Sequence, residues 1–189
     1  MGKEWRMFIL CWFAYASAYL CRTNLSIAAP KMLETFNWSK SNIGLIAGIF
    51  FWTYAVGQLV NGYIGDKVRS RPFIFVSLAS ASIINIIMGF SKVKWSFIIL
   101  WGMNGFFLSM LWGPILRILS FWFPPEKGTR VGMGISTSST VGYLVSWGLL
   151  GQLIANTSWQ WAFWVPGIFV LLFSFIWLFR VPEHPGYGL

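Results

Sequence analysis

Charge is the first thing this sequence lacks. Of 189 residues only 10% are Asp, Glu, Lys or Arg, against about a quarter in ordinary soluble domains. A soluble domain of this length cannot cover its surface with so few charges, which excludes a water-soluble globule. Acid is scarcer still: five Asp and Glu stand against fourteen Lys and Arg, for a net charge of +9. Histidine occurs once and cysteine twice. There is no carboxylate pair and no Cys/His cluster, so the sequence offers no acid–base or metal framework. The expectation is no enzyme, no metal and no other cofactor. Cys11 and Cys21 stand ten residues apart in one apolar run, about 15 Å along a helix, too far to pair. His184, in the tail, is expected to be solvated.

Apolar residues are abundant instead. They make up 57% of the chain, with 18 Phe and 13 Trp, and the mean hydropathy is +0.65. That exceeds the needs of a core, so the solvent is expected to be lipid. A crossing helix takes about 20 apolar residues. Uncharged runs cover 7–21 (continuing past Arg22 to Pro30), 43–65, 72–91, 95–116 and 131–179. The last would measure roughly 70 Å as one helix, so it must fold back, and Asn156-Thr157-Ser158-Trp159-Gln160 is its polar break. The expectation is an all-α polytopic membrane protein with six spans, near 7–30, 43–65, 72–91, 95–119, 131–155 and 161–180. They form one domain over 1–189 with no soluble domain left over.

The basic residues sit in short clusters between apolar runs, which is a membrane-loop pattern and excludes nucleic acid as the partner. One side collects Lys3, Arg6, Lys67, Arg69, Arg71, Arg117, Lys127, Arg130 and Arg180; the other collects Lys31, Lys40, Lys92 and Lys94. The bias places both termini in the cytoplasm. Trp38, Trp95, Trp159 and Trp161 then mark an outer aromatic belt, Trp5 and Trp122 an inner one. Lys3, Arg6 and Ala16-Ser17-Ala18 imitate a cleavable signal, but the apolar stretch runs on to Pro30 and more spans follow. Met1-Gly2 lacks Ser or Thr at position 6, so the myristoylation pattern fails.

Arg22 is the most informative residue. It lies about 12 Å short of Pro30 along the helix, well inside the hydrocarbon, where an arginine costs about 2.5–3.5 kcal/mol on insertion scales. Every acidic residue lies in a loop or at a span end, so the missing counter-ion is read as a small anionic ligand. A guanidinium binds phosphate or carboxylate through paired hydrogen bonds. Snorkelling to the headgroups is the alternative. Tyr15, Tyr19, Arg22 and Ser26 share one helical face. Tyr54, Gln58 and Asn61 form a second stripe, and Ser136, Ser139 or Thr140, and Tyr143 a third. The first, second and fifth spans thus read as cavity-lining and the sixth as lipid-facing. For the hydroxyls of 136–140, bonding to their own backbone is an equal alternative.

Gly44 with Gly48, and Gly105 with Ser109 and Gly113, have the spacing that lets membrane helices approach closely. Gly113-Pro114 is expected to bend the fourth span. Arg117, beyond it, is read as an anchor. Between the second and third spans lies Gly62-Tyr63-Ile64-Gly65-Asp66-Lys67-Val68-Arg69-Ser70-Arg71. Basic residues are expected there; the lone Asp66 is read as facing a helix amino terminus or a basic partner.

That loop resembles the signature between helices two and three of major facilitator transporters. Gly62, Asp66, Lys67 and Arg71 match it, while Arg69 takes a glycine place and Ser70 a basic one. Tyr19-Leu20-Cys21-Arg22-Thr23-Asn24-Leu25-Ser26, Trp112-Gly113-Pro114-Ile115-Leu116-Arg117 and the tail Val181-Pro182-Glu183-His184-Pro185-Gly186-Tyr187-Gly188-Leu189 resemble organophosphate:phosphate antiporters, carriers of glycerol-3-phosphate or hexose phosphates. The resemblance implies a cell-membrane (plasma or inner membrane) antiporter working by alternating access. It implies that Arg22 binds the phosphoryl group together with a second arginine from the carboxy-terminal half. The polar stripes then put Tyr15, Tyr19, Tyr54, Gln58, Ser139 and Tyr143 around the substrate, and the signature residues Gly62, Asp66, Lys67 and Arg71 are read as the gate. Some members have a lysine where Gln58 falls and a histidine near Ser139, so the substrate stays open. Related cation-coupled sugar-acid symporters also carry an arginine late in the first span, and an anion receptor that does not transport is a third reading. The family has twelve spans and this chain six. The expected partners are therefore membrane lipid and either a missing carboxy-terminal half or a second copy.

Overall fold

A chain solvated by lipid must satisfy its backbone hydrogen bonds within each segment, and helix accordingly takes every long apolar run. The computed structural model describes residues 2–182. Met1 and the tail from Glu183 to Leu189, including His184, lie outside the described residues. Helix α1 spans Lys3–Phe36, α2 Lys40–Lys67, α3 Ser70–Met88, α4 Lys94–Leu108 and α5 Trp112–Trp122. A 3-10 turn over Pro125–Lys127 leads into α6, Gly128–Val145; a π turn over Ser146–Leu150 joins it to α7, Gly151–Asn156; α8 is Trp161–Arg180. No strand occurs among the described residues.

Four segments are long and apolar enough, by length and composition, to cross a membrane: Lys40–Lys67, Ser70–Met88, Lys94–Trp122 and Trp161–Arg180. The first and fifth passages are more polar, and they hold Arg22 and the 136–140 hydroxyls. Helix α1 does not stop at Pro30; it runs on to Phe36 and ends where Asn37 turns left-handed at φ 51°, a conformation asparagine tolerates better than most residues. The fourth passage breaks at 109–111, ahead of Pro114. Proline offers no N–H to the carbonyl four residues back, here Met110, and its ring crowds that carbonyl. The expected interruption is therefore present, one turn before the proline.

Helix α1 runs through the middle of the bundle against α3, α5, α6 and α8; α2 packs on α4, and α3 on α4 and α8. Close approach is concentrated at a few glycines. A Cβ on Gly105 would meet the Phe50 carbonyl oxygen at 2.5 Å, and one on Gly142 the Ala16 carbonyl oxygen at 2.5 Å. Gly44, Gly48 and Gly113 have nothing within 4 Å, so of the fourfold-spaced set only Gly105 and Ser109 make the predicted contact. Lys31, expected in an outer loop, reaches the end of α7 and donates to the carbonyls of Ile154, Ala155 and Thr157, a cation placed on the negative end of a helix.

The aromatic belts are only partly present. Trp95, Trp161 and Trp5 are exposed, but Trp159 and Trp122 are buried. Trp159 packs on Phe36, Phe97 and Phe163, so it closes the bundle end instead of facing headgroups. Helix α8 is two-sided: Phe163, Val170, Phe173 and Trp177 are buried, and Leu172, Ile176 and Phe179 face outward. Helix α2 is the barest, with Trp52 at 74% and Leu59 at 80% exposure.

Candidate functional site

Arg22 projects from α1, half-buried, toward α2. Its guanidinium carbon lies 4.7 Å from the ring centre of Tyr54, 5.3 Å from that of Tyr19 and 5.6 Å from that of Phe50. No hydrogen bond or ion pair joins Arg22 to any described residue. The one ion pair between described residues is remote, Lys127 with Glu4 at 4.0 Å. Electron-rich ring faces attract a cation, but they accept none of its five N–H bonds in the fork geometry that oxyanions match. The site is a cation held in place with its strongest bonding capacity unused.

The rings form two groups that meet at Arg22. Tyr15 packs edge-on to Tyr19 at 5.5 Å and against Trp112 at 4.9 Å. Phe50 stacks on Tyr54 at 5.9 Å and touches Trp101. Gln58 donates from Nε2 to the Tyr54 hydroxyl at 3.0 Å, one helical turn away. The structure thus brings together Arg22, Tyr15, Tyr19, Tyr54 and Gln58. Asn61 joins the packing instead, donating to the Phe106 carbonyl and to Ser109 Oγ.

Two members of the predicted set stand apart. Ser139 donates its hydroxyl to the Ser136 carbonyl at 2.7 Å. Tyr143 is 47% exposed and stacks on Trp147. Neither makes a ring contact or hydrogen bond with Arg22 or the tyrosines. Ser136, Thr137 and Ser138 likewise bond to carbonyls of their own helix, the outcome sterically nearest for a hydroxyl in a helix. Helix α6 still borders the site, since Gly142 lies against Ala16 and Tyr19, and Trp12 Nε1 donates to Thr137 Oγ1 at 2.9 Å.

Sequence reasoning missed two features. Phe50 and Trp112 complete the aromatic surroundings; the available signal for Phe50 was its place one turn before Tyr54 on the second stripe. Behind Arg22 lies a buried asparagine knot. Asn24 Nδ2 donates to Asn85 Oδ1 at 2.6 Å and to the Ala162 carbonyl at 3.0 Å. Asn85 donates to Asn104 Oδ1, and Asn104 to the Cys21 carbonyl at 2.8 Å. All three side chains are fully buried. A single asparagine in each of three apolar spans was the available signal.

At the far end of α2, the signature loop is tied by Arg117. Its Nη1 donates to the carbonyls of Gly65 at 2.9 Å and of Asp66 and Val68 at 3.2 Å each, so it anchors the end of that helix. Gly62 is exposed with nothing within 4 Å, and Gly65 packs on Phe73 and Pro114. The Asp66 side chain is exposed. Lys67 lies 3.7 Å over the Tyr63 ring and bonds its hydroxyl. Arg71 Nη1 donates to the Val181 carbonyl, and the Arg71 carbonyl accepts from Trp177 Nε1.

Residues 11–188 match the Major Facilitator Superfamily profile. A protein of Chlamydia trachomatis named probable hexose phosphate transport protein is 31% identical over 186 residues, covering 97% of this chain and 41% of that protein. A membrane sensor protein, UhpC, of Escherichia coli K12 is 31% identical over 188 residues, covering 97% of this chain and 42% of that protein. A D-galactonate transporter of Escherichia coli is 27% identical, with 97% and 42% covered. Among solved structures, a bacterial homolog of the human lysosomal transporter Spinster, inward-facing and occupied, superposes with a TM-score of 0.83 at 19% identity, covering 99% of this chain and 47% of that one. The chain therefore spans about two fifths of the length of the curated relatives it matches.

Proposed function

We propose that this chain, which belongs to the Major Facilitator Superfamily, supplies the six-span amino-terminal half of a carrier for phosphorylated metabolites. The substrate is a small phosphate ester such as glycerol-3-phosphate or a sugar phosphate, exchanged for inorganic phosphate by alternating access. One observation carries the reading: a guanidinium inside the bundle, seated on the rings of Tyr19, Phe50 and Tyr54, with no hydrogen-bond or ion-pair partner among the described residues. A phosphoryl dianion supplies the missing charge and accepts the paired N–H bonds. Tyr15, Tyr19, Tyr54 and Gln58 line the approach, and Ser139 and Tyr143 serve only after α6 turns against α1. The bare face of α2 meets a carboxy-terminal half or a second copy, and both termini lie in the cytoplasm, as the basic bias directs.

Lysine at position 22 keeps the charge but loses the planar fork. Equilibrium binding of glycerol-3-phosphate and glucose 6-phosphate to the chain in vesicles should fall at least about tenfold in Arg22→Lys and about a hundredfold in Arg22→Gln, at 1.5–3 kcal/mol per charge-assisted bond. Undiminished binding in both variants overturns the assignment.

Two relatives favour neighbouring readings: the sensor suggests an anion receptor, and the galactonate transporter a cation-coupled sugar-acid symporter. Vesicles preloaded with phosphate separate them. Sugar-phosphate entry matched by phosphate exit marks exchange, gradient-driven uptake of a sugar acid marks symport, and binding without flux marks a receptor.

A further inference from the structure

At the end of the bundle opposite the Lys31 cap, a cavity of about 830 Å³ opens between the ends of α2, α3, α5 and α8. Its size suits a small ligand. Five cations line it, Lys67, Arg69, Arg71, Arg117 and Arg180, and no carboxylate does among the described residues. Three are positioned by other groups: Lys67 by the Tyr63 ring, Arg71 by the Val181 carbonyl, and Arg117 by three main-chain carbonyls. Arg69 and Arg180 are exposed and have no hydrogen bond or ion pair with a described residue.

The rest of the wall is apolar. Phe121, Leu178 and Phe179 line it, and Phe179, 77% exposed, continues into the outward face of α8 with Leu172 and Ile176. Lys67, Arg69, Arg71 and Arg180 stand at helix ends, the depth of lipid headgroups. A cavity that is cationic at headgroup depth and apolar toward the acyl region matches an amphiphile with a phosphate head, whereas a water-soluble ester would leave the apolar wall unused. We propose that this cavity binds the headgroup of an anionic phospholipid, its acyl chains lying along the outward face of α8. The bundle's basic bias places that end in the cytoplasmic leaflet, where anionic lipids attract clustered Lys and Arg.

The experiment is titration of the whole chain with phosphatidylglycerol and with phosphatidylcholine, read by native mass spectrometry. One phosphatidylglycerol should bind at least about tenfold tighter than phosphatidylcholine. The double variant Arg69→Gln/Arg180→Gln should lose at least about tenfold, since each cation near an anionic headgroup is worth roughly fivefold. Lys3→Gln/Arg6→Gln removes two charges from the same end but outside the cavity and should leave the affinity unchanged. Arg180→Gln alone, expected to lose about fivefold, serves if the double variant loses helix content by circular dichroism. Equal affinity for the two lipids, or equal losses in the cavity pair and the control pair, overturns the site. Displacement of the lipid by water-soluble glycerol-3-phosphate at matching concentration assigns the cavity to free phosphate esters and overturns the lipid.

Discussion

Arg22 and Arg117 carry the same side chain in the same bundle, and their surroundings are opposite. Arg117 spends Nη1 on three carbonyls at the end of α2; it completes a helix terminus that would otherwise leave acceptors unpaired. Arg22 lies over ring faces, and its N–H groups have no acceptor among the described residues. Position relative to the membrane does not separate the two roles as well as bond satisfaction does. A satisfied arginine is part of the fold, and an unsatisfied one in a costly place points outside the chain.

That contrast can be broken most directly through stability. Arg117→Gln should lower the unfolding free energy in detergent by about 2 kcal/mol, because charge-assisted hydrogen bonds to three carbonyls at the end of α2 are lost together. Arg22→Gln should leave it unchanged or raise it, since a cation without an acceptor is removed. Equal losses in the two variants would erase the distinction. A smaller effect tests the aromatic seat: Tyr54→Leu should weaken phosphate-ester binding by about fivefold, the worth of roughly 1 kcal/mol of cation–π attraction, with helix content intact. Unchanged affinity would mean the rings only pack. Smallest of all, Asp66→Asn should shift unfolding by less than about 0.5 kcal/mol, as for an exposed side chain away from special features. A larger loss would place Asp66 with Arg117 among the structural residues.

Much of this was readable from residue order. Spans are set by hydrophobic length, so the six passages emerge from the apolar runs. The Arg22–Tyr15–Tyr19 face emerges from helical spacing, because a single helix fixes which residues share a side. What crosses between helices was harder. Helical spacing puts Phe50, unlike Phe51, on the face of Tyr54 and Gln58, but it does not say that this face meets Arg22 of another helix. Ser139 and Tyr143 have the spacing of a polar stripe, yet a serine bonds its own backbone at no cost in reach, and the stripe then has no partner to seek. Gly44 and Gly48 matched a packing spacing and pack on nothing, since spacing specifies that helices can approach but not which helix does.

The asparagine knot has a mechanical consequence. It fastens the first, third, fourth and sixth passages at one depth, through Asn24, Asn85, Asn104 and the carbonyls of Cys21 and Ala162. Sliding these passages apart would strand amides in a medium with nothing to offer them, at several kcal/mol per group. Those four passages therefore behave as a stiff block. Helix α2, held mainly by α4, and the fifth passage, with its π turn, are outside the fastening. Any rocking of this bundle should carry Arg22's helix as cargo on the block, with compliance in its two flanks, so the arginine keeps its height in the membrane while the walls beside it tilt.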